Sequence, residues 1–205
     1  MPEAAVIFDC EFLSAEGAQR RLWCGPYDPD PLVVQIGAVK LRLAGDFEIE
    51  DAFNVYVEPR DRYGRRCAID PFLTALIGIG DGMIDASGID LKTALARFAD
   101  YARGLVLWSW GKDELGMLAT SCYVAGITPP IAANRFDNAC KLLLHGGMAY
   151  EDMQKTPSSG LMALYGLDQG SLRAHDAVDD ARSVAFVLQH LLRSGRLTPA
   201  DFDLS

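Results

Sequence analysis

Two acids stand two residues apart in an otherwise apolar run near the start of the chain, Ala4-Ala5-Val6-Ile7-Phe8-Asp9-Cys10-Glu11-Phe12. The β-branched and aromatic content reads as a buried strand, and strand side chains alternate between faces. Asp9 and Glu11 therefore share one face, about 7 Å apart. Two carboxylates so placed repel each other and lose hydration. Either they lie at an exposed strand end or a cation sits between them.

A second acidic group closes the chain, Ala174-His175-Asp176-Ala177-Val178-Asp179-Asp180-Ala181. Counting forward from Asp180 by four, seven, eight and eleven residues meets Val184, Val187, Leu188 and Leu191, the apolar stripe of an amphipathic helix. Asp180 thus heads the core-facing stripe, where a carboxylate needs a cation or a set of donors. Asp176 and Asp179 lie off the stripe, where solvent or the helix N-terminus suits them. His175, at or before the helix start, can hang over the same place. Imidazole is the side chain that exchanges protons near neutral pH. A third group, Trp108-Ser109-Trp110-Gly111-Lys112-Asp113-Glu114-Leu115, sits at a strand-to-helix turn, where α/β proteins place active sites.

The elements that must carry these groups follow from periodicity and breakers. A strand over 32–43 turns at Gly45-Asp46 into a partner over 47–57 that Pro59 ends. Helices are expected over 71–77 and 90–103, a short strand over 105–110, and a helix over 113–125 stopped by Gly126 and Pro129-Pro130. A short strand at 135–138 leads into a helix to Leu144; Ser158 or Ser159 caps a small helix to Tyr165; the last helix runs over 176–193 before a polar tail, 193–205. Three hairpin-linked strands followed by strands alternating with helices predict a mixed five-stranded sheet covered by helices, in one domain over 1–205. Two loops stand out: 14–31, rich in Gly, Pro and charge and carrying Arg20, Arg21 and Trp23, and the basic Arg60-Asp61-Arg62-Tyr63-Gly64-Arg65-Arg66.

Composition narrows the class. The chain has 205 residues, half of them hydrophobic, enough for a full core. No apolar run reaches the ~20 residues of a membrane span. Five scattered cysteines without a Cys-x-x-Cys fit reduced thiols in a cytoplasmic protein. A formal net charge of −9 argues against broad electrostatic binding of nucleic acid, but not against acids gathered at a cation site.

The ordered set resembles the DEDDh 3′–5′ exonucleases, which include polymerase proofreading domains and RNA-trimming enzymes. Asp9-Cys10-Glu11 matches the family's Asp-x-Glu, and His175 through Ala181 matches His-x-Ala-x-x-Asp-Ala at every fixed position. Val34-Gln35-Ile36-Gly37-Ala38-Val39-Lys40 and Phe72-Leu73-Thr74-Ala75-Leu76-Ile77-Gly78-Ile79 are also similar, so the likeness runs over about residues 4–192. For the family's remaining aspartate the chain offers two residues. An ungapped frame and the stripe Glu114, Leu118, Cys122, Ala125 select Glu114, whereas residue type selects Asp113.

The resemblance implies a ribonuclease H-like fold and two divalent ions, Mg²⁺ or Mn²⁺. Asp9, Glu11, Asp180 and either Asp113 or Glu114 would hold the ions, and His175 would serve as general base. It implies release of nucleoside 5′-monophosphates from the 3′ end of single-stranded DNA or RNA, by a monomer or a homodimer, with no membrane partner. Where the family has small residues or threonines after the second acid, this chain has Phe12 and Leu13; the alternatives there are backbone contact to the 3′ end, Phe12 stacked on or wedged beside the terminal base, and Phe12 as a core residue. Arg20, Arg21, Arg60, Arg62, Arg65 and Arg66 are the basic residues available to follow the strand. Two alternatives remain: a non-cutting binding module on the same fold, and a related two-metal hydrolase of short oligonucleotides.

Overall fold

The computed structural model describes residues 2–111 and 113–204; Lys112 of the third motif and Ser205 of the tail lie outside them. Six strands form one mixed sheet: β1 (Ala4–Phe12), β2 (Val33–Arg42), β3 (Ile49–Val57), β4 (Gly88–Ile89), β5 (Leu107–Ser109) and β6 (Phe136–Asn138), in the spatial order β4-β3-β2-β1-β5-β6. The first three are antiparallel, while β4 runs parallel to β3 and β5 and β6 continue parallel from β1. Eight helices complete the fold: α1 (Pro71–Ile77), α2 (Asp81–Ser87), α3 (Leu91–Ala102), α4 (Asp113–Ala125), α5 (Ala139–His145), α6 (Tyr150–Lys155), α7 (Leu161–Leu164) and α8 (Ala177–Arg193).

The sheet has one strand more than the five expected. β4 is two residues long, too short for any alternation to register, and it exists because β3 offers it a free edge. Helices α2 and α6, each a turn or two, were likewise not legible. Ser158 and Ser159 begin a 3₁₀ turn before α7, and neither side chain caps it. The tail is not simply polar. Leu197 is buried, and Phe202 packs edge-on against Trp108 with ring centroids 5.7 Å apart.

Alternation along β1 divides the core. Ala5 and Ile7 face α8 together with Val39 and Leu41 of β2, whereas Val6, Phe8 and Cys10 face α3 and α4. The α8 stripe read from the sequence is buried throughout: Asp180, Val184, Val187, Leu188 and Leu191. Among the described residues, no helix is long and apolar enough to cross a membrane.

One glycine controls how closely α8 approaches. Gly37 pairs with Asp9 across the β1–β2 ladder, and a Cβ on it would lie 2.3 Å from the backbone C of Ala177 and the backbone N of Val178. Beside it the buried Gln35 accepts a hydrogen bond from the Ala177 amide (3.3 Å) and donates one to Asn54 (3.0 Å). The Gln35-x-Gly37 pair therefore seats the first turn of α8 on the strand next to Asp9 and Glu11. Gly37→Ala should cost at least ~2 kcal/mol, because backbone rather than a flexible side chain must yield. That is a fall of about 4–8 °C in thermal midpoint for a chain of this size; a melt within 1 °C of wild type would show that the approach is not tight.

Candidate active site

The acids converge at the edge of the sheet where β1 ends. Asp9 and Glu11 lie on the α8 face, and the parallel register of β1 with β5, Ile7 opposite Trp108, brings the end of β5 level with them. The turn after β5 leads directly into α4, whose first residues are Asp113 and Glu114. Asn138, at the end of β6, holds this corner by accepting hydrogen bonds from the Gly111 amide (3.3 Å) and the Cys140 amide (2.8 Å). Sequence reading passed over Asn138, Gln35 and Ser109, since a polar residue that only positions others carries no periodic signature.

The structure separates the competing carboxylates. Glu114 is 6% exposed and on the stripe with Leu118 and Cys122, and its Oε2 has no hydrogen-bond partner among the described residues. Asp113 is half-buried on the adjoining face. Burial pushes the Glu114 carboxyl up to about 7, opposed by hydrogen bonds from its own amide and the Ser109 hydroxyl, with the Asp113 charge adding to the rise.

The three aspartates of the C-terminal motif also differ. Asp176 caps α8, accepting from the Val178 (3.1 Å) and Asp179 (3.3 Å) amides and pairing with Arg173 (2.8 Å). Asp179 accepts from the Arg173 amide (3.1 Å) and pairs with Arg182 (3.1 Å). Among the described residues Asp180 has no arginine or lysine partner of this kind. Its Oδ2 accepts from the His175 amide (3.0 Å), and its buried Oδ1 has no partner.

His175 is exposed and adopts φ 60°, the left-handed region that a non-glycine residue enters at some cost. The amide bond to Asp180 helps hold that turn. A ligating atom from each of Glu11, His175 and Asp180 lies within 4.8 Å of the others.

Crowding raises every carboxyl of the group. Burial, then the charges of Glu114, Glu11, Asp180 and Asp176, push Asp9 well above the ordinary carboxylate range. Glu11 rises to about 8 through burial and the charges of Asp180, Asp176 and Glu114. Asp180 rises to about 6, chiefly through burial, opposed by the His175 amide and the His175 charge. Four acids from three elements thus face one another at a strand end, with two carboxylate oxygens buried and unpartnered. The residues present fit a hard cation bound by oxygen.

This sets the sign of the pH dependence. A carboxyl whose folded value lies above its unfolded value, near 4, gives stability that is complete below the unfolded value and is lost as pH rises through the folded one. The metal-free protein should therefore melt lower at pH 8.5 than at pH 5.5, the loss running from the unfolded value near 4 up to the folded values of about 6 to 8. A realised effect of about 2 kcal/mol corresponds to about 4–8 °C. Melts in EDTA that are flat across this window would contradict mutual crowding of the acids.

The other expected contacts fare differently. Phe12 points to the face opposite Glu11, half-buried and edge-on to Trp23 at 5.4 Å. Its ring packs against the core cluster of Phe8 and Cys10. The Leu13 side chain is buried with Leu32, Ile69 and Leu73. Of the six arginines, Arg21 is held by Asp28, Arg60 by Glu58, Arg65 by Asp61, and Arg66 by Asp81 and Asp85. Arg20 and Arg62 have no ion pair among the described residues.

A mixed sheet of this order, covered by helices and with acids gathered at the end of its first strand, is the ribonuclease H-like fold of the 3′-exonucleases. Among solved structures the chain is similar to a 3′-exonuclease from a structure of 3′-end-specific recognition of a histone mRNA stem-loop, with TM-score 0.73 and 20% identity over 94% of this chain and 83% of that one. A full-length 3′-exonuclease gives TM-score 0.74 and 20% identity, over 94% of this chain and 61% of the other. E. coli Exonuclease I in complex with a dA16 oligonucleotide gives 0.62 and 13%, over 94% and 41%. At these identities the likeness is one of fold, and the chain spans less than two thirds of the last two proteins. Comparison with protein-family models and with curated protein sequences gave no match.

Proposed function

We propose that the chain is a metal-dependent 3′–5′ exonuclease of the DEDDh type, acting as one domain over residues 1–205. In this reading it hydrolyses phosphodiester bonds from the 3′ end of single-stranded DNA or RNA and releases nucleoside 5′-monophosphates. The observation that carries the reading is the cluster of Asp9, Glu11, Glu114 and Asp180 with two unpartnered buried oxygens and His175 at its lip. The fold likeness to 3′-exonucleases supports it.

Asp9, Glu11, Glu114 and Asp180 would hold two divalent ions, Mg²⁺ or Mn²⁺. Once bound, such ions supply an activated water and stabilise the leaving 3′ oxygen. The protein's own part begins with charge: four carboxylates kept close by burial offer ligands with little reorganisation. Asp180 Oδ2 holds the His175 backbone, and the exposed imidazole lies at the edge of the cluster with a ring nitrogen within 4.8 Å of Glu11 and Asp180 oxygens. A ring nitrogen there takes the proton of the attacking water, and exposure lets it pass that proton on. Gln35 and Gly37 keep the α8 acid in register with the β1 pair.

The test is a gel assay with 5′-labelled single-stranded RNA, single-stranded DNA and duplexes, in Mg²⁺, in Mn²⁺ and in EDTA. The expected result is a ladder shortening from the 3′ end, with nucleoside 5′-monophosphate as product, in metal only. Binding of oligonucleotide without shortening in either metal would favour a non-cutting module. Cleavage confined to oligomers of a few nucleotides would favour the oligonucleotide hydrolase.

A further inference from the structure

The loop between β1 and β2 carries a feature that the cluster of acids does not use. Tyr27 is 95% exposed, yet the loop holding it is built to keep one shape. Asp28, its side chain 4% exposed, receives Arg21 Nη2 (2.6 Å) and Nε (3.2 Å) and the Gly25 amide (2.8 Å). Leu22 and Trp23 both sit at positive φ, 55° and 53°, a costly pair that the clamp and the Phe12–Trp23 packing sustain. A fully exposed tyrosine on a pinned loop is poorly explained as packing.

Its surroundings suggest what it meets. Tyr27 rims a cavity of about 320 Å³ lined by Leu13, Ser14 and Ala15 on one side and by Ile69, Asp70 and Pro71 on the other. Leu13, on one wall of the cavity, is two residues beyond Glu11 on the same chain segment, about 7 Å along the backbone. A single strand running from the acids along this chain segment would meet this space, and an aromatic face beside an unpaired strand binds bases of any sequence by stacking.

We infer that Tyr27 is a stacking platform for a base of the single strand, positioning it at the cavity beside Glu11. This deepens the exonuclease reading and rests on it. Aromatic stacking depends on the ring rather than the hydroxyl, so phenylalanine or tryptophan serves in its place. It acts on binding rather than on the chemical step. Because Tyr27 touches little of the protein, truncation leaves the fold intact.

The experiment is fluorescence anisotropy with 5′-fluorescein-labelled dT8 in Ca²⁺, on wild type, Tyr27→Ala, Tyr27→Phe and Tyr27→Trp, alongside KM and kcat for its cleavage in Mg²⁺. The expected result is about 10-fold weaker binding for Tyr27→Ala. KM should rise in parallel with kcat within twofold, and both aromatic variants should restore affinity. An abasic residue moved along the oligomer should identify one position at which Tyr27→Ala costs nothing more. Equal affinity of Tyr27→Ala and wild type overturns the inference while leaving the nuclease reading in place. A Tyr27-dependent affinity in a wild type that never cuts upholds the platform and removes the nuclease reading. No binding by the wild type overturns both.

Discussion

Replacing Glu114 with Ala should lower the proposed 3′-end cleavage by at least ~100-fold, whereas Asp113→Ala should stay within about threefold of wild type. The two residues are adjacent, but a helix turns about 100° per residue, so their side chains leave in different directions. Glu114 is the one on the buried stripe, with an unpartnered Oε2, and its charge is the largest electrostatic influence on Asp9. Removing a ligand from a site of four carboxylates should lower activity by at least ~100-fold. Stability should move the opposite way. Without metal, Glu114→Ala deletes a crowded carboxylate pushed up to about 7, so at pH 8.5 in EDTA the variant should melt no lower than wild type, and a few degrees higher if the cavity collapses. The rise in midpoint on adding Mn²⁺ should shrink for Glu114→Ala and persist for Asp113→Ala. An active Glu114→Ala with normal Mn²⁺ stabilisation would exclude it from the site.

His175→Ala lowers turnover by about 10²–10⁴-fold, the usual range for loss of a general base. Here the geometry allows two roles, since His175 lies within the same 4.8 Å group as Glu11 and Asp180. A base that moves a proton affects kcat and leaves Mn²⁺ affinity alone, whereas a ligand weakens Mn²⁺ binding. Exposure of the ring and its place on a loop ahead of α8, rather than on a packed element, favour the base. The expected result is therefore a collapse of kcat with the Mn²⁺-dependent shift in melting temperature preserved. Unchanged turnover would remove the histidine from the chemistry. The backbone complicates the substitution only slightly: Ala also tolerates φ 60° poorly, so His175→Asn, which enters that region more readily, is the better-folded companion.

Much of the fold could be read directly. Long elements with a clear period came through: the α8 stripe from Asp180 to Leu191, the apolar run of β2, and α1 and α4 at their observed bounds. Among the short elements β4 and α6 did not, because they display no period and form where neighbouring elements offer them an edge or a turn to complete. Phe202 looked like part of a polar tail, since a lone aromatic among charged residues gives no sign of the distant Trp108 that covers it.

The site divides along the same line. Sequence alone determined the Asp9–Glu11 pair, because strand alternation is local, and it placed Asp180 at the head of a buried stripe, because helical periodicity is local too. The aim of Phe12 away from Glu11 was equally implicit in that alternation. Only the tertiary structure distinguished Asp113 from Glu114 in burial. It did so by burying Glu114 against β1, a contact between segments a hundred residues apart. It also gave Gly37 its meaning, which depends on the backbone of Ala177 arriving 140 residues later to fill the space where a Cβ would be. Local spacing says which way a side chain points; only packing says what stands in front of it.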